Sequence, residues 1–104
     1  MERNELHRIL QQGEGLRIEF KEAQNGVPDT LYNTISSFLN REGGVILLGV
    51  DDAGNVMGLD EQGLMQPKQN IVTALNNPDV INPPFPLAVN EVKYENVFLL
   101  YIRV

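Results

Sequence analysis

Apolar positions along the chain switch between a helical period and a strand period. Leu6, Ile9 and Leu10 fall on one helical face within Met1–Gln12, which begins near Glu2 or Asn4 and has Gly13 as its C-cap. His7 lies near that face and reads as a partly covered surface histidine. From Leu16 to Glu22 the period becomes two: Leu16, Ile18 and Phe20 on one side, Arg17, Glu19 and Lys21 on the other, a half-buried strand. After an Asn-Gly loop, Pro28 and Asp29 suit a helix start. Leu31, Ile35, Phe38 and Leu39 then give one helical face ending near Asn40.

Gly43-Gly44 turns the chain into Val45–Leu48, a short, wholly apolar, glycine-flanked run. Such a run reads as a central strand buried on both faces. Asp51-Asp52-Ala53-Gly54-Asn55 reads as a hairpin turn, with Val56–Leu59 as a short return strand. Lys68–Asn76 carries Ile71, Val72 and Leu75 on one side of a short helix, with Pro67 as an early helical residue or a kink. Four of the six prolines fall between Pro78 and Pro86, so Val80–Pro86 is an extended connector. Leu87–Tyr94 and Val97–Val104 form an antiparallel hairpin around Glu95-Asn96. The expectation is a two-layer α+β domain: a mixed sheet with helices packed mainly on one face.

Composition narrows the chemistry. A chain of 104 residues with 42% apolar content is one domain with a modest core. It has no cysteine and a single histidine, which excludes disulfides, thiolate chemistry and a histidine-built zinc site. Without a membrane-length apolar stretch or a signal peptide it reads as cytoplasmic. The formal charge of −6, from 14 acidic and 8 basic residues, disfavours sequence-independent nucleic-acid binding but allows a local basic face. Val97–Val104 has no terminating turn, so the chain reads as one domain of a longer protein, its open last strand able to pair with a second copy.

Two groups of residues are candidates for chemistry. Glu14 and Glu19 flank the start of the first strand, and Asp51-Asp52 ends the central one. If Glu19 reaches Asp52 across neighbouring parallel strands, three acids could hold Mg²⁺ or Mn²⁺ and activate water; acids at such places also serve simply as capping or solvated groups. Arg17 and Lys21, joined by Arg41, offer a small basic face for a phosphate backbone, or a solvated strand face. The glycines at 43, 44 and 49 match neither a P-loop nor a dinucleotide fingerprint, and Ser36 and Ser37 have no triad partners. The helix around them reads as core packing.

Gly13-Glu14, Ile18-Glu19-Phe20-Lys21-Glu22, Ile35–Asn40, Gly43-Gly44 and Leu48–Gly58, in this order and spacing, resemble the Schlafen Alba-like domain. Gly15 stands where that pattern commonly has Ser, and Leu39 where it has a small residue. The resemblance implies an N-terminal nucleic-acid-binding domain of a longer bacterial protein, a transcriptional regulator or a protein related to ATP-dependent DNA helicases. An older family label implies ATP binding, for which this chain has no P-loop. In animal members a three-carboxylate site cleaves RNA, and its positions match Glu14, Glu19 and Asp52. The leading expectation is a DNA-binding domain of a transcriptional regulator, with Arg17, Lys21 and Arg41 on phosphates. The alternatives are a metal-dependent endoribonuclease using Glu14, Glu19 and Asp52, and an interaction or oligomerisation domain. The expected partner is DNA or RNA, with a homodimer as a further option. No cofactor is expected unless the nuclease reading brings Mg²⁺ or Mn²⁺.

Overall fold

The computed structural model describes residues 1–104. Its elements are α1 (Arg3–Gln12), β1 (Ile18–Lys21), α2 (Thr30–Leu39), β2 (Val45–Leu48), α3 (Met65–Leu75), β3 (Asn90–Tyr94) and β4 (Val97–Arg103), with one 3-10 turn at Glu61–Gly63. The strands form one mixed sheet in the order β1-β2-β4-β3. β1 and β2 are parallel, with Glu19 opposite Ile46; β2–β4 and β3–β4 are antiparallel. The α+β architecture is the expected one.

β2 is buried along its whole length. Its alternation divides the core in two. Ile46 and Leu48 face α2 and α3, where Leu31, Ile35, Phe38, Ile71 and Leu75 pack with Leu100 and Ile102. Val45 and Leu47 face the other way, onto Leu6 and Ile9 of α1 with Ile18, Phe20, Leu99 and Tyr101. Two helices therefore cover one face, and α1 adds a partial third layer on the other. Glu5 of α1 is tied to Arg103 of β4 at 2.6 Å, and the guanidinium holds the Glu5 carboxyl below its ordinary value.

Several local expectations change. Val56–Leu59 is no strand: it makes only isolated bridges, Val50 to Val56 and Leu59 to Phe98. The N–H groups of Met57 and Gly58 both donate to Gly49 O, which curls the segment, and Gly58 has φ +75°. Leu16 is 76% exposed rather than inward, because Gly15 N–H bonds Ile18 O and throws residues 16 and 17 into a tight turn. Val72 is exposed; only Ile71 and Leu75 of α3 are buried. The last hairpin begins at Asn90, so Val89 and Val92 pack on opposite faces of the sheet. The final strand is interior, paired with β3 on one side and with β2 and Leu59 on the other. It offers no open edge; the sheet's edges are β1 and β3. No helix is long and apolar enough to cross a membrane.

Gly58 tests this packing. A Cβ there would lie 2.4 Å from Val97 Cβ, on a backbone with positive φ. Gly58→Ala is expected to destabilise the domain by about 2–4 kcal/mol in urea unfolding. Gly15→Ala, at a site with open space, should stay within about 0.5 kcal/mol of the parent.

Candidate nucleic-acid interface

The loop before β1 builds the first part of the site. β1 is an edge strand, so alternate N–H and C=O groups point away from the sheet. Arg17 O faces inward and accepts from Val45 N at 2.9 Å. Ile18 O and Phe20 N face outward. Gly15 N–H donates to Ile18 O at 3.0 Å, and Phe20 N–H donates to Glu14 Oε2 at 3.0 Å. Residues 14 and 15 thus fold back over the strand edge, and Glu14 takes the place of a neighbouring strand.

Glu19 projects on the α2 side and meets Glu14. The Glu19 carboxyl is held above its ordinary value, first by burial, then by the hydrogen bond and charge of Glu14. Lys21, with Nζ at 3.5 Å, opposes that shift.

α2 supplies the opposite wall. Its buried stripe is Leu31, Ile35 and Phe38. On another face it presents Thr30, Asn33, Thr34 and Ser37, and Arg41 follows one turn later. With Glu19 and Gly15 these residues line a groove of about 350 Å³. These polar residues are spaced by three and four beside the apolar stripe, whereas the expectation for the helix around Ser36 and Ser37 is core packing.

The candidate cations divide. Lys21 is only 14% exposed; Nζ donates to Thr30 Oγ1 at 3.1 Å and pairs with Glu19, so it joins the strand to α2. Arg17 is ion-paired with Glu42, and both side chains are mostly exposed. Arg41 lines the groove and makes no ion pair within the protein.

The candidate carboxylates divide as well. Glu14 and Glu19 meet, whereas Asp52 sits in the exposed turn after β2. Asp51 organises that turn: its Oδ1 accepts from the N–H groups of Ala53 and Asn55, and its Oδ2 from Asn55 Nδ2. These bonds, led by the backbone of Asn55, hold the Asp51 carboxyl below its ordinary value. Nowhere do three acids or histidines converge in a way that could hold a metal ion. Glu14 and Glu19 meet while Asp52 stands apart, so the three carboxylates do not form one cluster.

The fold is a small α+β domain whose four-stranded mixed sheet carries a hydroxyl-lined groove beside its parallel edge strand. The chain belongs to the Schlafen AlbA_2 family, whose profile matches residues 14–104. A search of curated proteins finds no match.

The raised Glu19 carboxyl has a measurable consequence. The folded value of Glu19 lies above the ordinary 4.5. Its stabilising contribution is therefore complete below that pH and is lost as pH rises through the raised value. Glu19→Gln keeps a donor toward Glu14 without the charge. Thermal melts should show equal stability for variant and parent in acid, and a more stable variant at neutral pH. Parallel pH profiles would show that the fold does not raise the Glu19 carboxyl.

Proposed function

We propose that the chain is a nucleic-acid-binding domain of a DNA-binding transcriptional regulator, and that it grips the phosphate backbone along the β1–α2 groove. The observation that carries this reading is Arg41, unpaired at the end of a row of hydroxyl and amide side chains. Such groups are the usual donors to phosphate oxygens. Family membership supports a nucleic acid as the partner. Arg17 is the second contact: an exposed ion pair such as Arg17–Glu42 contributes only ~0–1 kcal/mol and exchanges readily for a phosphate. Lys21 supports the groove instead of reaching the ligand. With a net charge of −6, the domain should bind locally and modestly, through few phosphates.

Binding of duplex DNA and of RNA across a salt series tests this. For Arg17→Glu with Arg41→Glu, the slope of log affinity against log salt should fall by about 2, one per lost phosphate contact. Lys21→Gln should lower the melting temperature and leave the slope nearly unchanged. If the double variant keeps the parent's affinity and slope, the groove is not the interface.

Phosphodiester cleavage is the second reading, favoured by the meeting of Glu14 and Glu19. Incubation of transfer RNA with the domain and Mn²⁺, beside Glu19→Ala, decides it. Equal or absent cleavage by both proteins removes this reading.

A further inference from the structure

The sheet's two edges are finished differently. At β1, residues 14 and 15 occupy the outward backbone groups. At β3 nothing does. Phe98 of β4 exchanges both of its backbone hydrogen bonds with Leu59, at 2.8 Å each. Lys93, opposite Phe98 in the ladder, is therefore a non-bonded pair with it, and its N–H and C=O point away from the sheet. By alternation those of Glu91 do too. Neither residue makes a backbone hydrogen bond in any turn or loop. Both side chains lie on the α3 face. Glu91 is 4.0 Å from Lys68 and Lys93 is 6.0 Å from the Phe98 ring centre, both loose contacts.

We infer that the open edge of β3 pairs with β3 of a second copy of this chain, antiparallel about a two-fold axis at Val92. Charge complementarity selects this occupant and this register. In the pairing centred on Val92, each Glu91 stands opposite the Lys93 of the other copy. The outward N–H and C=O groups of these residues then meet as hydrogen-bonded pairs. Sliding the register to centre on residue 91 sets Glu91 against Glu91. Centring it on residue 93 sets Lys93 against Lys93 and Glu91 against Glu95. Opposite charges directly across a ladder stabilise it, and like charges destabilise it.

An edge bearing charges repels most other strands, but this sequence of signs is complementary to itself. The rotation also keeps each α3 on the same side of the joined sheet. The apolar groove over β3, about 660 Å³ and lined by Met65, Val72 and Phe98 among others, then adjoins its copy. The pairing is independent of the β1–α2 groove, which lies at the opposite edge.

Analytical ultracentrifugation over a concentration series, with amide exchange followed by NMR, tests the pairing. The parent chain should dimerise reversibly. Lys93→Glu should weaken the dimer by about tenfold or more, since it creates two like-charge pairs. Adding Glu91→Lys to Lys93→Glu should restore it. As the dimer forms, exchange at the Glu91 and Lys93 amides should slow, while the Val92 amide, already bonded to β4, should change little. A chain that stays monomeric overturns the proposal and leaves the edge to a strand of another protein. So does a dimer indifferent to Lys93→Glu, or one in which the Glu91 and Lys93 amides still exchange as fast as in the monomer.

Discussion

The structure depends on the burial of β2 from both sides. A strand of four apolar residues can satisfy two cores only if its neighbours supply both walls and both ladders. β1 and β4 supply the ladders, α2 and α3 one wall and α1 the other. Fully burying a Leu or Ile side chain contributes ~1.5–3 kcal/mol. Ile46, Leu47 and Leu48 are wholly buried, so this strand anchors both clusters. No polar or charged residue is buried, and the polar chemistry is confined to the edges and ends of the sheet.

That confinement explains what was legible in the sequence. The periodicities of α1, α2, β2 and the last hairpin report burial, and burial decided those elements. Topology was partly legible: a helix between β1 and β2 implied a parallel pair. The side of the sheet that α1 covers was not, because an amphipathic helix shows that it has a partner but not which face provides it. The misread segments are those where backbone hydrogen bonds outweighed the side-chain pattern. Leu16 was drawn out by the Gly15–Ile18 turn, and Val56–Leu59 was curled by the shared acceptor Gly49 O.

The candidate site was legible in part for similar reasons. The meeting of Glu14 and Glu19 depends on a loop folding back over the strand, which the Gly-Glu-Gly spacing permits but does not require. Lys21 and Arg17 share the parity of one strand face, yet parity says nothing of their partners; Thr30 and Glu42 determine which of them is available. Asp51 and Asp52 are indistinguishable by composition. In the structure one makes three hydrogen bonds within its turn, and the other is exposed.

Glu14 serves two neighbours at once, the Phe20 amide and the Glu19 carboxyl. These roles are thermodynamically linked. Removing the Glu14 carboxylate strips the outer edge of β1 of its substitute strand, at a cost of about 1–3 kcal/mol for the amide left unpaired. Closure of that edge therefore rests on a single side chain.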